Sequence, residues 1–499
     1  MKKSQLTYID VALDKFAEIA EQMKKQSATL AAEWASEANS CFEIYACYRQ
    51  NSNYNIVKTV CPKSNPEFPS LVGTYTVANR FERQIHSLFG IIPIGHPDLR
   101  PWIKFEDWPE ESYPLRKNVD GLKPLGRVAG EYAWIQSTGV GVCEIPVGPV
   151  HAGIIEPGHF RFHAVGETII NLEERFGYTH KGIEKRFETL GWEDGSRLAG
   201  RVSGDSTVAH ALAYCVAVES MSDINIPKRA SWIRALFLER ERISNHLGDI
   251  GAICNDASFV FLFYQFMRLK EKLLRTNQQL WGHRFMMDLI ILGGVSVEVS
   301  IEGIDQILSE LSMLEKEFEE LVKIYDGNPS LEERVLTTGI LTKEQAKEFG
   351  VVGYVSRASG GKMDCRVSYP IYPYDQIDVR IPTYIDGDVN ARIWVRVDEI
   401  RESIRIIRFL LNEMPIGELS VVCPKPEPNK TGFSAVEGWR GETLYWVQSD
   451  EKGQLNRCMV RDPSSVNWLA LEKAVMNNIV ADFPLCNKSF NCSYSGHDL

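Results

Sequence analysis

The chain has 499 residues and 11 cysteines, yet no Cys-x-x-Cys occurs anywhere. Its nearest pairs, Cys41/Cys47 and Cys486/Cys492, are spaced too widely for the tight pairs that iron–sulfur clusters and structural zinc use. Scattered, reduced thiols in a cytosolic setting are therefore expected. Phosphate-cradling loops are missing as well. Ser359-Gly360-Gly361-Lys362 has a Gly-Lys without the Gly-x-x-x-x-Gly-Lys-Ser/Thr frame, and Gly90-Ile91-Ile92-Pro93-Ile94-Gly95 lacks the Gly-x-Gly start. With no Gly-x-Ser-x-Gly and no His-Glu-x-x-His either, ATP, nicotinamide, serine-hydrolase and zinc-protease chemistry find no support. No run approaches the ~18 apolar residues of a membrane-spanning helix. Met1-Lys2-Lys3-Ser4 leads into a polar stretch without the apolar core of a signal peptide. Positive charge is also short: 55 Lys and Arg face 66 Asp and Glu, a net −11 that argues against a nucleic-acid partner.

What is present is ordinary for a globular protein of two or three domains: 44% hydrophobic and 24% charged residues. Ile9, Leu13, Phe16 and Ile19 recur at helical spacing, and Phe42–Ala46 reads as a strand. The passage Trp108–Leu125, with Pro109, Pro114, Gly121 and Pro124, reads as a linker. Strand-like segments follow around Gly139–Ile145 and Phe160–Ile170. From Gly182 to Leu321 the period is helical, with a long amphipathic helix through Ile233–His246 and another over Phe263–Leu280, long enough to pack as a bundle. Beyond Gly350 the pattern mixes strands with one helix at Val397–Met414. A hairpin of Thr443–Val447 and Gln454–Val460 turns through Ser449–Gly453. The fold class this predicts is α+β: a small N-terminal α/β domain fused to a mainly helical bundle domain with peripheral strands. Of the ten histidines, His151 stands out, because Gly148-Pro149-Val150-His151 is a Pro/Gly-flanked turn where function concentrates.

Two stretches carry a family resemblance. Phe81-Glu82-Arg83-Gln84-Ile85-His86-Ser87-Leu88-Phe89-Gly90-Ile91, with Gly95–Arg100 and Pro114–Lys117, is similar to the signature of the complex I 30 kDa-type subunit. The family's acidic residue before Leu88-Phe89-Gly90 is Ser87 here. From Gly148 onward the chain resembles the complex I quinone-site (49 kDa) subunit and the large subunits of energy-converting, formate-hydrogenlyase-type nickel–iron hydrogenases. That likeness rests on Gly148–His151, His180–Lys185, Arg357–Gly360, Asp364-x-Arg366, Arg440–Glu442 and Asp462–Ser464. The resemblance divides the chain into residues 1–118, a linker at 119–138 and residues 139–499.

In the hydrogenases two Cys-x-x-Cys pairs hold nickel, because soft thiolates suit that metal and hydroxyls do not. Here the ligand positions fall on Ser203, Ser206, Ser493 and Gly496. Cys492 is one residue out of register, and no tail follows Leu499 for a maturation protease to remove. The resemblance therefore implies no metal and no cofactor on this chain. In complex I a tyrosine and the opening-motif histidine bind the quinone headgroup; His151 is kept, but the tyrosine position is Gly204. Losing one hydrogen bond at a buried site costs about 1–3 kcal/mol, so a quinone is weakened rather than excluded, with Tyr494 or His210 as substitute donors. Glu184 matches the proton-passing glutamate, against the plainer reading of a helix-start carboxylate paired with Arg or Lys. Arg440 is expected to point into the cavity, and Asp364 with Arg366 to form a buried ion pair.

The implied role is a subunit of a membrane-associated redox complex that couples electron transfer to ion translocation without a nickel–iron centre. Its partners would be an iron–sulfur small subunit, a ferredoxin-like subunit and antiporter-like membrane subunits, with iron–sulfur clusters on those partners. The chain would sit on the inner face of the cell membrane, held there by other subunits. The alternatives are a quinone-reducing NADH dehydrogenase-type subunit, a non-catalytic scaffold, and an active hydrogenase with an unusual ligand set.

Overall fold

The computed structural model describes residues 5–222 and 224–499; Met1–Ser4, on which part of the leader argument rests, lie outside them. The chain begins with strand β1 (Gln5–Asp10), helix α1 (Phe16–Lys25), strands β2 (Thr29–Glu37), β3 (Cys41–Gln50) and β4 (Asn53–Pro62), and helix α2 (Ala78–Phe89). The sheet order is β1-β4-β3-β2, with β1 parallel to β4 and the other pairs antiparallel. The expected first helix thus starts late. Ile9 lies in β1 opposite Val57, because the four-residue step from Ile9 to Leu13 suits an even strand period as well as a helix, and pairing with β4 decides the matter.

This sheet is buried on both faces. On one, Ile44, Ala46 and Tyr48 pack with Phe16 of α1 and with Phe81, Ile85 and Leu88 of α2. On the other, Trp34, Tyr45 and Ile56 meet Phe433, Leu444, Trp446 and Met459. These belong to a three-stranded antiparallel sheet made of Thr431–Gly438, Gly441–Ser449 and Leu455–Arg461. The N-terminal region is therefore seated sheet-on-sheet against the end of the chain. Buried charges cross the seam: Glu442 accepts from Arg49 (2.7 Å), from the Tyr54 hydroxyl (2.5 Å) and from Arg461.

Residues 95–141 contain no helix or strand, as the proline-rich passage predicts. The segment Phe160–Ile170 is a hairpin rather than one strand: His159–Val165 turns at Gly166 (φ +61°) into Thr168–Arg175, and Val142–Val147 adds the third strand. A left-handed backbone favours glycine at such a turn.

The longest helices are Lys228–Asp256, Val260–Trp281, Ile301–Asp326 and Val389–Asn412. Lys228–Asp256 is not amphipathic as expected, since every residue from Ala230 to Gly251 is buried. Its charges are paired inside instead: Arg234 with Glu219 (2.6 Å), Arg240 with Glu310 (2.8 Å) and Asp249 with Arg396 (3.0 Å), while His246 hydrogen-bonds Glu399 (2.7 Å). Polar residues that mimic a solvated face are here a buried ionic lattice. The helix expected at Val397–Met414 starts eight residues earlier, where the Asp388 carboxylate caps the Ala391 amide (2.8 Å). Between residues 350 and 430 short helices stand where strands were expected, and strands resume only at Thr431. The α+β class holds.

Candidate functional site

A cavity of about 310 Å3 opens where Ser203–Asp205, Arg440 and Asn491–Ser495 converge, with the loop Ile154–Glu156 at its rim. The first segment leads into helix Thr207–Glu219. The second sits at the turn between two strands, where Gly441 has φ +129°. The third is the break between helices Phe483–Phe490 and Tyr494–Asp498, with Asn491 left-handed at φ 37°. A Cβ on Gly441 would press against Gly353, its nearest atom 2.6 Å away, so this turn needs glycine.

The polar groups at the cavity's centre satisfy one another. Ser203 and Ser493 share a hydroxyl hydrogen bond of 2.8 Å, and Ser203 donates to Asp205 at 2.7 Å. Arg440 grips both Asp205 oxygens at 2.7 Å each, reaches the Asn491 carbonyl (2.7 Å) and the Ser206 hydroxyl (3.1 Å), and lies 4.0 Å over the Trp439 ring. Burial alone would raise the Asp205 pKa, but the Arg440 guanidinium and the Ser203 hydroxyl hold it well below the carboxylate range. Burial likewise opposes the charge on Arg440, and Asp205 more than offsets it. Behind this layer, Asp462 accepts from His210 (2.9 Å) and from the Ser464 amide (2.7 Å), while His210 meets the Tyr445 hydroxyl (3.0 Å). Gly496 packs against that carboxylate so closely that a Cβ would come within 2.6 Å of it.

Of the five residues singled out, only Arg440 lines this cavity. His151 sits on the neighbouring loop, and neither ring nitrogen has a partner among the described residues. Glu184 lines a different, smaller cavity, where it accepts from Arg457 (3.1 Å) and the Val460 amide (3.1 Å). That is the paired helix-start carboxylate of the plainer reading. Asp364 and Arg366 do form the buried pair (2.7 Å). They stand apart in a lattice with Arg357, Glu437 and Glu239, and Asp364 also caps its own short helix. Ser203 and Ser493 meet as their positions imply. Ser206 is turned to Trp439 (3.0 Å), Tyr494 lines the cavity, and His210 lies behind it. Sequence reasoning missed Glu156, whose carboxylate accepts the Ser495 amide (3.0 Å) at the cavity rim. It also missed Asp205, though its place between the two serines was a usable signal.

The profile of the family described as the respiratory-chain NADH dehydrogenase 30 Kd subunit matches residues 9–124. The 49 Kd subunit profile matches residues 256–431 and 420–498. Formate hydrogenlyase subunit 5 of Escherichia coli is 32% identical over 447 residues, covering 89% of this chain and 79% of that protein. Hydrogenase-4 component G of the same organism is 33% identical over 447 residues, covering 89% and 78%. The C/D subunit of NADH-quinone oxidoreductase from Phocaeicola vulgatus is 30% identical over 430 residues, covering 81% and 82%.

Proposed function

This chain belongs to the family of redox-complex subunits that fuse a 30 Kd-type to a 49 Kd-type complex I domain, and from that premise we propose that it couples electron transfer to ion translocation without a nickel–iron centre. The observation that carries the reading is the 2.8 Å bond between Ser203 and Ser493. Two of the four ligand positions satisfy each other there, and the other two are a serine bonded to Trp439 and a glycine pressed on Asp462. Three hydroxyls and a glycine do not fit nickel, which requires thiolates.

We divide the chain at residues 1–118, 119–138 and 139–499, with the last part folded like a nickel–iron hydrogenase large subunit. The element-free stretch 95–141 supports the boundary. Among the described residues no helix is long and apolar enough to cross a membrane, so the attachment to the inner membrane face runs through other subunits. Those partners are an iron–sulfur small subunit, a ferredoxin-like subunit and antiporter-like membrane subunits, and the clusters reside on them. A quinone is the second reading. His151 favours it, with two ring nitrogens unpartnered beside the cavity loop.

The test is substitution in the assembled complex. Arg440→Lys keeps the charge but cannot hold Asp205 bidentately; with assembly intact, turnover should fall by about tenfold or more. Unchanged turnover for this variant and for Glu184→Gln would favour a scaffold with no redox-coupled role.

A further inference from the structure

The seam between the N-terminal sheet and strand Leu455–Arg461 encloses a cavity of about 30 Å3, room for ordered water. Glu33 of β2 lines one side, Glu184 and Arg457 the other, and α2 closes it with Phe81, Ile85 and Leu88. β2 is an edge strand. Its edge is sealed by guanidiniums, with Arg461 donating to the Ala31 carbonyl (3.0 Å) and Arg457 to the Ala35 carbonyl (3.1 Å).

The register of β2 shifts between Leu30 and Ala32, and this turns Glu33 inward. Simple alternation from Leu30 would place Glu33 on the opposite face. The extra residue instead sets it opposite Ala46, on the apolar side beneath α2. Glu33 is only 4% exposed, and neither carboxyl oxygen has a hydrogen-bond partner among the described residues. Across the cavity Glu184 has two donors, Arg457 and the Val460 amide. One acid is thus without a donor and the other is well supplied, in a single water-sized space. A buried carboxylate without a donor is unfavourable, so Glu33 holds its proton. Burial, and then the negative charge of Glu82, push its pKa far up. Glu82 itself is pushed up to about 7 by burial, against hydrogen bonds from the Ser70 hydroxyl and the Leu71 amide.

We propose that Glu33 and Glu184 exchange a proton through water in this cavity, so that the N-terminal domain supplies a proton-holding relay residue to the rest of the chain. In the transfer the O–H bond of the Glu33 carboxylic acid breaks and an O–H bond forms on Glu184. Glu33 becomes the carboxylate, Glu184 the acid, and no electron moves. The charged and titratable groups around Glu33 are Glu82 from α2 and Tyr48 from β3, while Glu184, Arg457 and Arg461 line the same cavity. The use of this relay in turnover rests on the redox reading above; the exchange itself does not.

Infrared difference spectroscopy after a pH jump on the assembled complex reads the exchange without turnover. The wild type should show a protonated-carboxyl C=O band that vanishes in Glu33→Gln, shifts in Glu184→Gln and returns in Glu33→Asp. Glu33→Gln, which keeps size and neutrality, should also lower turnover about a hundredfold, with partial rescue by Glu33→Asp. A C=O band indifferent to Glu33→Gln, or wild-type turnover in that variant, overturns the relay. If the wild-type complex has no redox turnover, the redox reading falls, and the infrared band alone decides the exchange.

Discussion

The two cavities are built on opposite electrostatic plans. In the larger one the central groups are answered: Asp205 by Arg440 on both oxygens, Ser203 by Ser493, Asp462 by His210. In the smaller one Glu33 has no donor among the described residues, while Glu184 has two. A satisfied network fixes geometry, because each group loses if it moves. An acid with no donor keeps its proton, because its carboxylate would be buried with nothing to stabilise it. The larger cavity therefore reads as a rigid frame, and the seam as the site that holds a proton.

The comparison can be broken in graded ways. The largest effect should come from the seam's own ion lattice. Glu442→Ala strands Arg49 and Arg461 in the interior and should cost about 3–5 kcal/mol, measured by denaturant unfolding with the two regions followed separately. In the frame, Arg440→Ala leaves Asp205 unpaired, and the expected loss is smaller, about 3 kcal/mol. Asp205 is 38% exposed into the cavity and solvent screens part of its charge. A similar loss at both sites would mean that the frame is as dry as the seam. Gly496→Ala should cost about 2 kcal/mol by overpacking against Asp462.

A different kind of effect is a slope with pH. Glu82 is held near 7 in the fold against roughly 4.3 in an unfolded chain, so the native state binds the extra proton across that window. Stability is then full below about pH 4 and falls as pH rises towards 7, by at most about 1.4 kcal/mol per unit. Glu82→Gln should flatten that slope in unfolding curves taken between those values. The same slope in both proteins would remove Glu82 from the account.

Much of the architecture was legible in the sequence. The hairpin ending in Leu455–Arg461, the helix Val260–Trp281 and the element-free linker follow from period and turn chemistry, and the two family signatures covered most of the chain. The seam was not legible. A one-residue register shift in β2 decides which way Glu33 points, and no periodicity encodes such a shift. The frame was half visible: Ser203 and Ser493 could be placed by motif. The His210–Asp462 pair spans 252 residues, a contact only the fold creates. Helix Lys228–Asp256 misled for a third reason, since ionic pairs inside a core carry the same pattern as charges in water.

Nickel content of the purified, assembled complex, taken together with hydrogen uptake, tests the central claim most directly. Nickel far below one atom per complex and no hydrogen uptake, in a preparation that retains redox turnover, is the predicted result. Stoichiometric nickel with hydrogen uptake would contradict it.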